Sequence, residues 1–365
     1  MIRFWLTCLF ILGSYTPVNA ATHAIGIETG GESIAYDMNT AGQVAIVVLD
    51  QSRNRHAVLF EHGRLTQIGS LGGNESEASH INSHGEIIGS AQRKDSSWGA
   101  FLYSREHGMQ DLGTLGGTNS HGMALNDLGD AVGFSDLANQ EWHAFLLKRG
   151  GQLQDLGTLG GKISYASGIN HLGQVVGTST NKIGDRHAFY YDAARGMVDL
   201  GTLGGRASYA AAINDKGVVV GASETKNQDW HAFVLDHGHM VDLGLLFGQW
   251  DSHATAINNA GHVVGTAKLH DNRLSFVWRD GVMTVHHSGA KGLYLTNAIN
   301  DAEQVIGATY DRGMIAASML SNSAPYVDQG WSNLYYRILL AILFAIAAVV
   351  LRKRYRGLLG PWRRV

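Results

Sequence analysis

Ser208-Tyr-Ala-Ala-Ala-Ile-Asn214, Val218-Val-Val-Gly-Ala-Ser223, His231-Ala-Phe-Val-Leu235 and Met240-Val-Asp-Leu-Gly244 are four short apolar segments in close succession. Each is too short for an ordinary helix, and each reads as a strand. The unit recurs along the chain. An Asn closing a small apolar segment stands at Asn39, Asn82, Asn126, Asn170, Asn214, Asn258 and Asn300, at spacings of 43, 44, 44, 44, 44 and 42. A period near 44 with four strands per unit is that of β-propeller blades, whereas helical repeats of similar length would show apolar spacings of three and four. The expected fold is therefore all-β, a seven-bladed β-propeller of four-stranded repeats, with one further helix at the C-terminus.

Turn chemistry agrees with strands. Asn170 to Gly173, Asn214 to Gly217 and Asn258 to Gly261 share an Asn-x-x-Gly pattern. Asn at the first position of a type I turn caps it, and Gly at the fourth accepts positive φ. The repeated Asn thus reads as structural rather than catalytic. The seventh unit supplies Thr296 to Asn300, Gln304 to Ala308 and Met314 to Leu320 but no fourth strand. A ring must close, and His23 to Gly31 imitates the missing strand and its Gly-Gly loop, so residues 23–31 are expected to complete the last blade.

These motifs resemble the HAF family of probable extracellular bacterial repeat proteins. His-Ala-Phe stands at His143 to Phe145, His187 to Phe189 and His231 to Phe233, and Asp-Leu-Gly-Thr-Leu-Gly-Gly at Asp111 to Gly117, Asp155 to Gly161 and Asp199 to Gly205. The pattern departs at Trp98-Gly-Ala-Phe101, which lacks the His, at His56-Ala-Val58, which lacks the Phe, and in the last two units, which lose the Gly-rich motif. The resemblance implies an exported repeat protein and carries over no catalytic residue.

The chain ends suggest an address. Arg3, the apolar run Phe4 to Leu12 and Val18-Asn-Ala20 read as a signal peptide over residues 1–20. Residues 21–320 are then the ectodomain and 321–333 a linker. Ile338 to Leu351 is apolar throughout, about 21 Å of helix and longer if Leu334 to Arg337 join it. Residues 334–351 are expected to span a membrane. Residues 352–365, rich in Arg and Lys, are expected to stay in the cytoplasm, leaving the ectodomain in the periplasm or outside the cell.

Composition narrows the function classes. There are 47 Gly, 3 Pro and 16% charged residues, a bias toward many turns. The one cysteine, Cys8, falls within the signal segment, so the mature chain has no disulfide chemistry. Setting aside Arg3 and the seven basic residues from Arg337 onward leaves 20 of the 28 Lys and Arg against all 31 Asp and Glu, a net charge of −11. Such a surface argues against a nucleic-acid partner. There is no Gly-x-Ser-x-Gly, phosphate loop, His-Glu-x-x-His or calcium loop, so no catalytic residue, metal ligand or cofactor is assigned.

The histidines at His56, His143, His187 and His231 occupy equivalent places and read as structural. The candidate ligand-binding residues lie where the repeat breaks, at Trp250, Asp251 and His253 after the fifth unit and at His286 and His287 after the sixth, both expected in loops entering an inner strand. Trp98, Trp142 and Trp230, each just ahead of the His-Ala-Phe position, join them as stacking surfaces. The face carrying the variable second-to-third connections is the expected binding face. The expected function is a membrane-anchored extracytoplasmic binding or scaffold protein for a glycan, peptide or protein. The alternatives are a propeller-type glycan hydrolase or lyase and a purely structural surface or adhesion protein.

Overall fold

The computed structural model describes residues 22–25, 32–244, 251–269, 272–287, 293–311 and 314–320. The expected signal peptide, linker, membrane helix and basic tail lie outside them, as does Trp250. Among the described residues the structure is all-β, and no helix is long and apolar enough to cross a membrane.

The strands form five separate four-stranded sheets and one eight-stranded sheet. We name each unit by the Asn that closes its first strand. The Asn39 unit is a meander of Ser33–Met38, Val44–Leu49, Arg55–Glu61 and Arg64–Gln67, and the others repeat this order. The Asn126 and Asn170 units share the eight-stranded sheet through a single parallel contact between Trp142 and Ile163. The Asn300 unit contributes Leu295–Ile299, Val305–Asp311 and Met314–Leu320. Its fourth strand is Thr22–Ala24 from the other end of the chain, in antiparallel register Thr22↔Leu320, His23↔Met319 and Ala24↔Ser318. Residues 26–31, also expected in that strand, lie outside the described residues.

The core lies between successive units rather than within one layer. Ala124, Val132, Ala144 and Leu146 of the Asn126 unit pack with Ala166, Ile169, Val175 and Phe189 of the next. Phe101, Phe145, Phe189, Phe233 and Phe276 are fully buried, each contributing about 2–3 kcal/mol of apolar burial. Opposite each stands a Gly of the second strand, as in Gly177↔Phe189. A Cβ on Gly177 would meet the Tyr165 carbonyl at 2.0 Å and the Phe189 ring at 2.8 Å. The Val-Val-Gly segments therefore record a place where sheet backbone and aromatic ring leave no room for a side chain.

Two sets of polar bonds tie successive units together. In six of the seven units Ser stands six residues before the Asn, Tyr294 taking that place in the Asn300 unit, and the Ser Oγ accepts the Ala N–H of the preceding third strand. The bonds run from Ala57 to Ser76 (3.0 Å), Ala100 to Ser120 (2.9 Å), Ala144 to Ser164 (2.8 Å), Ala188 to Ser208 (2.9 Å), Ala232 to Ser252 (3.0 Å) and Ala317 to Ser33 (3.0 Å). At the other end, each Asn Nδ2 donates to the carbonyl of the next Asn. The series runs 39 to 82, 126, 170, 214, 258 and 300, and returns from Asn300 to Asn39, at 3.0–3.3 Å throughout. The Oδ1 of Asn39 meanwhile accepts the N–H groups of Ala41 and Gln43, capping its turn.

Candidate functional site

Antiparallel order gives the first strands two distinct ends. The Asn end holds the first-to-second and third-to-fourth turns. The Ser end holds the second-to-third connections and the loops leading into the next unit.

At the Asn end lies a cavity of about 310 Å³ lined by the ends of all seven first strands. Met38, Ile81, Leu125, Ile169, Ile213, Ile257 and Ile299 form its apolar wall. Its polar rim is largely spent on itself. Asp127, Asp215, Asn259 and Asp301 accept the backbone N–H groups of Ser83, His171, Asp215 and Asn259 at 2.8–3.0 Å, and Asn259 Nδ2 bridges Asp215 and Asp301 at 2.8 and 3.1 Å. Although this is a concavity, its rim mainly fastens neighbouring units together.

The Ser end is where aromatic and imidazole side chains collect. The position five residues before the Asn is occupied by Glu77, His121, Tyr165, Tyr209 and His253 in five successive units, and by Ile34 and Leu295 in the other two. Third strands begin beside it with Arg55, Trp98, Trp142, Arg186 and Trp230. Two groups result. In the first, His121 lies 6.0 Å from Trp98, 4.9 Å from Phe134 and 5.9 Å from Trp142, and Phe134 meets Tyr165 edge-on at 4.8 Å. Arg55 lies 5.2 Å over Trp98 and is held by Glu75 and Glu77. In the second, Tyr209, Trp230 and His253 sit within 5.8–6.1 Å of one another, and Tyr209 Oη is 2.7 Å from His253 Nδ1.

Burial sets the charge of these groups. It is the main cause that lowers the pKa of His121, with Arg55 lowering it further and Asp136 opposing. Burial likewise lowers that of His253, with Asp251 opposing and Arg273 assisting. It pushes Tyr209 up to about 12. The imidazoles are thus kept neutral and the phenol protonated near neutral pH.

The sequence-assigned candidates fare unequally. Trp98 and Trp142 come together through His121, and Trp230 and His253 through Tyr209; all are half-buried against neighbouring units rather than exposed as a free ring. Asp251 is exposed, and its Oδ1 accepts the Trp230 N–H at 3.1 Å, so it seats that strand. His286 and His287 are not in a loop. Alternation along Val282–His287 carries the fourth strand through them, opposite Ser275 and Leu274. Trp250 lies outside the described residues. His121, Phe134, Tyr165 and Tyr209 were not singled out from sequence, although the 44-residue recurrence of His121, Tyr165 and Tyr209 in the first strands was a usable signal.

Three of the repeated histidines have partners within their own unit. Nδ1 of His143, His187 and His231 lies 2.8–2.9 Å from Asp155, Asp199 and Asp242, the acids that open the Asp-Leu-Gly loops. Where His is replaced by Gly99, Arg93 supplies the partner. Its Nε and Nη2 donate to Asp111 at 2.5 and 2.8 Å, through space that a Cβ on Gly99 would fill. Among the described residues no cluster of three or more His, Cys, Asp or Glu is placed to hold a metal ion.

No family model matches this chain, and no curated protein does. Several solved structures share its architecture. Puromycin hydrolase aligns with a TM-score of 0.57 at 10% identity, over 87% of this chain and 57% of that one. The acylaminoacyl peptidase of Pyrococcus horikoshii gives 0.56 at 11% identity, over 85% and 54%. The BP39L lectin of Burkholderia pseudomallei gives 0.50 at 8% identity, over 81% and 97%. This chain therefore spans little more than half the length of the two hydrolytic enzymes. At such identities the likeness shows a propeller-like fold and nothing finer.

Proposed function

We propose that the chain is a seven-bladed propeller of the HAF-repeat type, exported and held at a membrane by residues 334–351, that binds a glycan, peptide or protein at its Ser end. In this reading the eight-stranded sheet is two blades bridged at Trp142 and Ile163, and the Asn39-to-Asn300 cycle runs once around the ring. The observation that carries the binding role is the pair of half-buried aromatic and imidazole groups at one end, around His121 and around Tyr209, beside the loops that vary most between units. Aromatic faces with neutral polar tips suit recognition more than bond cleavage. The likeness to BP39L lectin supports a binding role, as the likeness to the two hydrolases supports the alternative. We favour binding because the nearby acids are engaged. Glu75 and Glu77 hold Arg55, Asp111 holds Arg93, and Asp136 accepts from Asn119 and Thr118.

The test is a glycan and peptide array probed with the full-length chain, its Trp98→Ala plus Trp230→Ala variant and its Asp301→Asn variant. Signal lost with the tryptophans and kept with Asp301→Asn supports the Ser end, and the reverse pattern moves the site to the other cavity. For the address, protease added to spheroplasts should remove the ectodomain and spare an epitope placed after Val365.

A further inference from the structure

The two aromatic groups differ in what they leave open. Around His121 the faces are taken. Arg55 covers Trp98 on one side, His121 lies at 24° to it, and Phe134 is 4.9 Å from the imidazole. Around Tyr209 the arrangement is of another kind. Its ring and that of His253 are 14° from parallel with centroids 6.0 Å apart. A 2.7 Å hydrogen bond joins the phenol oxygen to the imidazole nitrogen. At that separation the rings lie side by side, joined through their polar edges, rather than overlapping face to face. Together they present a surface wider than a single aromatic ring. Trp230 stands beside it, 5.8 Å from Tyr209 and 6.1 Å from His253, tilted 35° and 31°, and is seated there by Asp251.

The same hydrogen bond decides the tautomer. The phenol is the stronger acid of the two and has no other acceptor among the described residues, so we assign it as the donor, with Nδ1 of His253 accepting and the imidazole proton on Nε2. Among the described residues nothing accepts from Nε2.

From this geometry, and resting on the reading of the Ser end as the binding end, we propose that Tyr209, Trp230 and His253 form a subsite for one ring of a neutral saccharide, the flat pair stacking on its C–H face and His253 Nε2–H donating to one of its oxygens. A plane plus one uncharged donor matches the alternation of C–H face and hydroxyl edge in a pyranose. An anionic ligand gains no ion pair from an imidazole that burial keeps neutral. Asp251 already accepts from Trp230, and Arg273 lies 5.3 Å over Tyr294. Tyr209 is thus a positioning residue for His253 as well as half of the platform.

The experiment titrates the full-length chain with methyl glycosides of neutral hexoses and N-acetylhexosamines by ligand-observed NMR, with a tripeptide library as the counter-probe. Wild type, Tyr209→Phe, His253→Gln, Trp98→Ala and Asp301→Asn are compared, and unchanged melting is required of each. Binding of a glycoside that weakens about ten-fold in Tyr209→Phe and in His253→Gln, the loss of roughly one well-placed hydrogen bond, is the expected result. Nitrogen NMR should also show the Nε2–H form of His253 in wild type and a tautomer mixture in Tyr209→Phe. A glycoside bound equally by both variants but lost in Trp98→Ala overturns the subsite and leaves the Ser end standing. Tripeptides bound without any glycoside overturn the saccharide class alone. Silence from every probe counts against both.

Discussion

Asn300 donates from Nδ2 to the backbone carbonyl of Asn39 at 3.2 Å, joining residues 261 apart in the chain. It is the bond that turns a row of like contacts into a cycle. The strand pairing of Thr22–Ala24 with Met314–Leu320 and the Ala317-to-Ser33 bond close the same junction farther out. Asn300→Ala also removes the Oδ1 that accepts the Gln304 N–H. A loss of about 3 kcal/mol is expected, the sum of a turn cap and a buried inter-unit bond. Denaturant unfolding should show it, and a loss under about 1 kcal/mol would mean that the outer strand alone holds the ring.

Arg93 and Gly99 form an exchangeable pair with the His of neighbouring units. Arg93→Ala removes the partner of the exposed Asp111 carboxylate and should cost about 1 kcal/mol. Adding Gly99→His restores the partner used by Asp155 and Asp199 and should recover at least half of the loss in a double-mutant cycle. Gly99→His alone meets the Arg93 guanidinium and should be worse than either.

Two glycines separate crowding from backbone strain. Gly177→Ala drives a methyl into the Tyr165 carbonyl and the Phe189 ring and should cost more than about 4 kcal/mol or prevent folding. Gly184→Ala, at φ +89 with nothing within 4 Å, should cost only about 1 kcal/mol. Similar melting temperatures for the two would contradict the packing described.

Acid should weaken the aromatic end. His121 and His253 are held below their ordinary value of 6.5, so below that pH the unfolded chain takes up protons that the folded chain resists. Their stabilising contribution is full above pH 6.5 and is lost as pH falls through their folded values. The His121→Gln plus His253→Gln variant should have a flatter stability profile between about pH 6.5 and 5.

At the alkaline end the sign reverses. Tyr209 is raised from 10.0 to about 12, so its contribution is full below pH 10 and disappears as pH rises through 12. Difference absorbance between wild type and Tyr209→Phe should place that phenolate near pH 12, and a midpoint near 10 would mean the ring is solvated.

The sequence by itself determined the all-β class, the four strands per unit and the Asn-x-x-Gly turns, because these follow from local periodicity and from turn chemistry repeated six times, with Glu303 in place of the Gly in the seventh turn. It also marked Trp98, Trp142 and Trp230 as a recurring set. Which side chains meet was decided by tertiary structure alone. Tyr209 and His253 lie 44 residues apart in different sheets, and only the rotation of one sheet against the next sets their edges together. The repeat lacks its His at Gly99, and Arg93 fills the gap from an adjacent strand. His286 and His287 broke the Gly-rich pattern and so read as loop, while backbone pairing with Leu274 and Ser275 continued regardless. Local pattern reports the hydrogen-bonding and packing needs of one unit; contacts between units depend on geometry that no single unit contains.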